Sequence, residues 1–447
     1  MSTVTDEVSR AIAKDAVKIA SPEEAAAARR RVSGYLARPI DADAAVQIAL
    51  LNNRGLQADY NALGIAEADR VAASTLPNPT IGIDRLASGS AVEIERKLAI
   101  DLLALATLPA RSEIARTRFE AARRKAIEAT FRTAGETRRA WYRAVASRNT
   151  VSFLEQTQAV ANGIAELTTK LGETGGATKI QQARAIAFQA EVAGELAQAR
   201  LGAVSDREAL TRAMGLWGVD LGYRLPGTLP KLPKVQKLAN AEAEAIDRRV
   251  DLAAMRLELE ALAKSLGLVE ATRVVSLVDV SFRGTYDRST AGGVTETSFK
   301  RGAGLDLQIP IFDLGEPETR RARETYMQAA NLLLAKAVDI RSEVRAAYAA
   351  YRTRHDVALL YQTKIVPLRK TINEQALLNY NGMLIDVVEL LTIAREGVQS
   401  NVAAINSKRD FFIAAADFEA AIIGGTSGPA SPGAEPAAGA ASAPAGH

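Results

Sequence analysis

The chain has 447 residues, 56 Lys and Arg against 52 Asp and Glu, a formal charge of +4, and no Cys. It is too long for one ordinary core, and the missing Cys excludes disulfides, thiolate metal sites and cysteine nucleophiles. Its basic residues are spread along helical segments, which argues against nucleic acid, while abundant Ala and 5% aromatics suit long, closely packed helices.

The N-terminal extension, residues 1–38, is charged and has no apolar h-region, so it does not read as a signal peptide. No stretch reaches the roughly 18 uncharged apolar residues of a membrane-spanning helix. Repeat 1 occupies 39–224. It opens with a helix over about 42–75, followed by two segments with period-two alternation, Thr80–Asp84 and Val92–Leu102. Helical periodicity then runs over about 111–171, a Gly-containing break comes next at 172–176, and a helix of about 40 residues closes the repeat. Residues 225–236 form a Pro-rich crossover (Leu225-Pro-Gly-Thr-Leu-Pro-Lys-Leu-Pro233) that cannot be helix. Repeat 2, 237–423, gives the same order: a helix to about 270, alternating segments 278–286 and 305–311, helix over about 317–380, a break at Asn379–Gly382 and a final helix. Residues 424–447 are an Ala/Gly/Pro/Ser tail that reads as disordered.

The repeats superimpose at a constant offset. Ala322-Arg323 lies 207 residues after Ala115-Arg116 (322 − 115), and at that offset Tyr326 meets Phe119, Arg345 meets Arg138 and Tyr348 meets Trp141. Gly382 meets Gly175, Ile393 meets Ile186 and Ala394 meets Ala187. Such a register held over about 70 residues marks an internal duplication.

In the alternating segments Val278, Val280, Phe282 and Tyr286 oppose Asp279, Ser281, Arg283 and Thr285, while Leu305, Leu307, Ile309 and Ile311 oppose Asp306, Gln308 and Pro310. An apolar face opposite a charged one fits a barrel with lipid outside and water inside, and equally a half-buried strand of a soluble sheet. Four strands cannot close by themselves and leave unpaired edges, which closure between subunits of a symmetric ring would remove. About 60 helical residues make roughly 90 Å of rod, longer than one globular domain accommodates. The expected architecture is therefore mainly α with a small β part.

Several strings resemble the TolC-like outer-membrane factor family. They are Ala45-Val-Gln-Ile-Ala-Leu-Leu-Asn-Asn53, Leu76-Pro-Asn-Pro79, Pro310-Ile-Phe-Asp-Leu-Gly315, and Leu378-Asn-Tyr-Asn-Gly-Met-Leu-Ile-Asp-Val-Val-Glu-Leu-Leu391. The likeness covers about 40–423, and the strings look nearest to those of the heavy-metal and copper efflux branch. The resemblance implies duplicated helical-hairpin rods forming an α-barrel tunnel, and four strands per chain completing a 12-stranded β-barrel in a homotrimer. The chain would be a passive exit duct in the outer membrane and periplasm of a Gram-negative bacterium. Its implied partners are outer-membrane lipid, a periplasmic adaptor (membrane fusion) protein and an inner-membrane pump, with no nucleic acid. Three features depart from the family pattern. Leu103-Ala-Leu-Ala-Thr-Leu-Pro109 stands where repeat 2 has the Pro-Ile-Phe-Asp-Leu-Gly string, so the first barrel-to-helix turn looks degenerate. A leader and a lipobox Cys are also missing, which implies a processed form or a mis-assigned start. Finally, the acidic ring that relatives often carry at the periplasmic tip would come from Asp386 and Glu389 of repeat 2 alone, because Lys179 and Gln182 hold those places in repeat 1.

The gate candidates are thus Asp386, Glu389, Lys179 and Gln182, with Lys364 and Lys179 as neutralising partners. Gly175, Gly176 and Gly382 are the hairpin tips, expected as caps or turns needing positive φ. Asp279, Ser281, Arg283, Asp306 and Gln308 are the lumen candidates. Asp386 and Glu389 also fit a solvated helix face, Trp141 and Tyr348 fit packing, and His355 fits the surface. No nucleophile elbow, phosphate loop or zinc motif occurs, so no enzyme, cofactor or metal site is expected. The rival readings are a soluble oligomeric helical scaffold without a barrel and a periplasmic adaptor, the latter requiring one helical hairpin rather than two.

Overall fold

The computed structural model describes residues 1–89, 91–235, 240–275, 277–291 and 294–425, so most of the tail expected at 424–447 lies outside the described residues. The elements run α1 (Ser2–Ile12), α2 (Pro22–Leu36), α3 (Ala42–Asn52), α4 (Arg54–Ala73), β1 (Thr80–Ser88), β2 (Ala91–Asp101), α5 (Leu102–Glu173) and α6 (Lys179–Met214). After a 3-10 turn (Gly218–Gly222) come α7 (Ala241–Arg248), α8 (Val250–Thr272), β3 (Leu277–Ala291), β4 (Val294–Gln308) and α9 (Glu316–Leu360). A π turn (Tyr361–Ile365) leads into α10 (Val366–Asn381), and α11 (Val387–Ile423) ends the described fold. No described helix is long and apolar enough to cross a membrane.

Two compact units each draw on both repeats. The first comprises Met1–Gly34, Leu50–Thr130 and Gln236–Ala349. It holds one antiparallel sheet of order β1-β2-β3-β4, whose strands are longer than alternation alone indicates. Residues 287–291 and 294–304, within the stretch expected as a gap, are the paired ends of β3 and β4, while Ile309–Ile311 fall beyond the sheet. The first strand-to-helix passage has no turn. Asp101 accepts the Ala104 amide at 2.8 Å as the cap of α5, and Pro109 lies inside that helix. The second passage is a real turn: Leu314 donates to the Pro310 carbonyl at 2.8 Å, and Leu314 and Gly315 take φ of 50° and 69°. A Cβ at Gly315 would stand 2.5 Å from the Arg273 carbonyl oxygen, so glycine is required twice over.

Helix contacts in this unit are polar as well as apolar. Tyr60 and Thr130 share a buried hydrogen bond of 2.9 Å, and Lys264 reaches Glu113 and Thr117, each at 3.0 Å. At the α7–α8 break the fully buried Arg249 grips Asp251 with two donors, at 3.0 and 2.7 Å, and Glu343 with a third at 2.8 Å. Burial alone would raise the Asp251 carboxyl, but the Arg249 hydrogen bonds and charge outweigh it and hold the group below the ordinary carboxylate range.

The second unit comprises Tyr35–Ala49, Phe131–Val235 and Ala350–His447. Its core centres on Trp141, whose indole donates to the Ile40 carbonyl at 2.8 Å, and on the stacked pairs Tyr142–Phe412 and Tyr351–Phe418. Prolines interrupt the amides of the crossover, and side chains of the second unit reach its carbonyls. Arg148 donates to Leu225, Lys408 to Leu229 at 3.1 Å, and His355 Nε2 lies 3.2 Å from the Pro233 oxygen. These carbonyls are four residues apart. His355 is therefore not the surface residue its charged neighbours suggest. Its side chain is 13% exposed and its ring meets Phe411 edge-on.

The π turn corrects the repeat alignment. Its five-residue bond, Val366 amide to Tyr361 carbonyl, inserts one residue into the helix without disturbing the turns beyond it. Pro367 supplies a cause, because in a tight α-helix its ring would meet the carbonyl of Thr363. Beyond this turn the repeats match at 208 residues, not 207.

Candidate functional site

The register of the sheet sorts its side chains cleanly. Asp279 pairs with Asp306, Ser281 with Gly304, Arg283 with Gly302 and Leu277 with Gln308, so the five lumen candidates share one face. Val278 pairs with Leu307, Val280 with Leu305 and Phe282 with Ala303 on the opposite face. That second face is apolar yet open: Leu307 is 53% and Phe299 56% exposed. Every acid in the strands (Asp84, Glu93, Glu95, Asp101, Asp279, Asp287, Glu296, Asp306) stands on the first face. There Lys300 pairs with Asp287 at 2.9 Å and Arg283 approaches Glu95 at 3.8 Å. Asp101, Asp279 and Asp306 form one row across three strands, an arrangement that costs stability through like-charge repulsion. Ser281 is buried and Gly304 leaves room for it, since a Cβ there would be 2.8 Å from Ser281 Oγ.

The hairpin tips in the second unit are built twice on one plan. In repeat 1, Gly175 takes φ 81°, its amide meets the Gly172 carbonyl at 3.3 Å, and the Gly176 amide meets Leu171 at 2.7 Å, which together form a Schellman motif. In repeat 2 the same bonds run from Met383 to Tyr380 at 3.0 Å and from Leu384 to Asn379 at 2.8 Å. The positive φ of 59° falls on Met383 there, not on Gly382, which caps α10 with φ −82°. Gly176 likewise has no positive φ. Positive φ at Gly176 and Gly382 is thus corrected, and Gly175 alone keeps it.

Each returning helix then starts at a side-chain cap. Thr178 accepts the Gln181 amide while Gln181 accepts the Thr178 amide at 2.8 Å, a capping box. In repeat 2 Asp386 accepts the Glu389 amide at 2.9 Å. The structural counterparts of Asp386 and Glu389 are therefore Thr178 and Gln181 (386 − 208 and 389 − 208), not Lys179 and Gln182. Lys179 is the first residue of α6, and Gln182 folds back toward the Ala177 carbonyl over Gly172. Among the described residues no ion pair joins Lys179 or Lys364 to Asp386 or Glu389, so the neutralising pairs are absent within the protomer. Both carboxylates are exposed beside the start of α11, where they also favour its positive helix end. Behind the tips Val387 and Leu391 pack on Ala185, Phe188 and Val192. The capping and Schellman residues were missed as such, although Thr-x-x-Gln and Asp-x-x-Glu before apolar runs are their sequence signal.

Comparison with known proteins agrees with this geometry. Residues 243–373 match the family model described as outer membrane efflux protein, whereas no curated protein matches the chain in sequence. The structure resembles the CmeC outer membrane channel of Campylobacter jejuni at 16% identity and a TM-score of 0.74, covering 86% of each chain. CusC, described for its folding and transmembrane channel formation, matches at 14% and 0.72, over 85% of this chain and 91% of its own. The open MtrE outer membrane channel of Neisseria gonorrhoeae matches at 16% and 0.68, over 85% and 88%. Such even likeness singles out no branch. Residues 243–373 are thus similar to the outer membrane efflux protein family, and the chain as a whole carries the fold of the outer-membrane channels.

Proposed function

We propose that the chain is one subunit of an outer-membrane efflux channel, a passive exit duct for substrate driven by an inner-membrane pump through a periplasmic adaptor. The observation that carries this reading is the four-stranded sheet with open edges, whose exposed apolar face lies opposite a face holding all its acids. Three copies would close such sheets into one barrel with Asp279, Ser281, Arg283, Asp306 and Gln308 toward the lumen, and leave no edge unpaired. The strings that resemble those of the heavy-metal and copper branch make metal cations the cargo class to test first. Cell fractionation of the full-length gene product tests the reading: it should appear in the outer membrane as a trimer, and recovery as a soluble protein would leave the helical scaffold instead.

At the tips, three copies of Asp386 and Glu389 would gather negative charge at the periplasmic entrance. Since Asp386 also caps α11, the informative variant is Asp386→Asn/Glu389→Gln, which retains capping capacity. In planar bilayers it should lose cation preference at low salt, where screening is least. Unchanged selectivity would reduce both residues to a helix cap and a solvated face.

A further inference from the structure

The sheet's charges are segregated beyond what a water-filled lumen requires. While every acid stands on one face, the apolar face carries Arg85, Arg96, Arg288 and Arg301 and no acid among the described residues. All four are exposed, and none has an ion-pair partner among the described residues. Arg96 and Arg301 occupy one row on either side of Gly284, so their backbones are two strand spacings, roughly 10 Å, apart. Arg85 pairs with Ile94 and is therefore the diagonal neighbour of Arg96, about 7–8 Å away. Phe299 fills the space over Gly284, its ring 3.5 Å from where a Cβ would stand, and the Arg301 guanidinium lies 5.1 Å from that ring's centre. The ring holds the guanidinium by cation–π attraction.

A guanidinium on a lipid-facing surface is costly at mid-membrane and nearly free at the interface. Six residues, roughly 20 Å of strand, separate Arg301 from Leu307, and the exposed Ile309, Ile311 and Phe312 carry apolar surface beyond the strand end. The arginines thus border an apolar band, level with Tyr286 and Phe299, where aromatic girdles mark a membrane interface. We propose that Arg85, Arg96 and Arg301 form a binding patch for lipid headgroup phosphate on the outward face of the barrel. Arginine's planar fork suits phosphate, and the unneutralised cations await an anion that the acyl chains beside them would position. The inference rests on that face meeting lipid.

The test titrates the detergent-solubilised channel with phosphorylated lipid A and with the same lipid enzymatically dephosphorylated, counting bound lipid by native mass spectrometry. The unmodified channel should prefer the phosphorylated form by roughly fivefold per arginine, on the order of a hundredfold for three. Arg85→Gln/Arg96→Gln/Arg301→Gln should lose the preference, and the corresponding Lys variant should keep most of it. Equal binding of the two lipids by the unmodified channel, or a preference that survives in the Gln variant, overturns the patch. Conductance in planar bilayers reports separately on the channel. A conducting chain without phosphate preference sinks only this inference, whereas a chain that selects phosphorylated lipid without conducting sinks the channel and keeps the patch.

Discussion

The π turn at Tyr361–Ile365 makes the two repeats respond differently to the same lesion. If it houses one inserted residue, deleting Gln362 together with Pro367→Ala should restore a plain α-helix and leave α10 and α11 in place. The Pro change is needed because a proline inside a tight helix costs about 3 kcal/mol by itself. Repeat 1 has no π turn to absorb a loss. Deleting Gln156 in α5, within the stretch corresponding to the π turn, should swing every later residue by about 100° and draw it back about 1.5 Å. Ala161, which packs in the cluster with Phe188 and Val192, would leave its site. Ala165 and Thr168, both buried on the same helix, would turn with it. Opening about 100–200 Å² of apolar surface there costs roughly 2.5–5 kcal/mol at about 25 cal/mol per Å². Urea unfolding and limited proteolysis of the tips measure the contrast. The double variant should stay within about 1 kcal/mol of Pro367→Ala, since a helix restored to plain geometry loses no packing. If it falls as far as the Gln156 deletion, the insertion account is wrong and the 208-residue register needs another cause.

Four further variants test the helical part and the sheet. Arg249→Met takes two charge-assisted bonds from the buried Asp251 carboxylate, leaving it Lys336 at 3.4 Å and the Leu252 amide at 2.9 Å, and should cost about 3 kcal/mol, read as a lowered urea midpoint with an unchanged slope. Because the folded Asp251 carboxyl is depressed, its contribution is complete above the unfolded value of about 4 and disappears as pH falls through the folded one. Asp251→Asn should accordingly flatten stability across that acid window, and an unaltered pH profile would refute the linkage. In the sheet, Leu307→Arg should impair assembly of the proposed trimer by roughly 2–4 kcal/mol if it lies at mid-membrane, while Gln308→Arg on the other face should be mild. Equal assembly of the two on gels of unheated samples would reverse or abolish the face assignment.

Period-two alternation was enough to sort the strand residues into two faces, because each carries consistent chemistry from Val278 to Phe282 and from Leu305 to Leu307. It failed at the far end of the hairpin. There Arg288, Thr290, Thr295, Thr297 and Arg301 put polar groups on the face that is apolar nearer the helices, so residues 287–304 look like a gap although every described backbone position is paired. Asp101 hid the first strand-to-helix passage in another way: a single capping carboxylate replaces a six-residue turn and leaves no Gly to notice.

The displaced register has a more general cause. In an Ala-rich helix a one-residue slip exchanges one set of small residues for another, so matches such as Ala394 on Ala187 persist by composition. Pro367 was the visible warning, as a residue no uninterrupted helix accommodates without loss. Its consequence reaches the tip. Moving the alignment by one residue turns the repeat 1 counterparts of Asp386 and Glu389 from a lysine and a glutamine into Thr178 and Gln181, a neutral cap and its box partner. Lys179 moves one residue past that cap into the first turn of α6, so repeat 1 puts a neutral pair where repeat 2 puts two carboxylates.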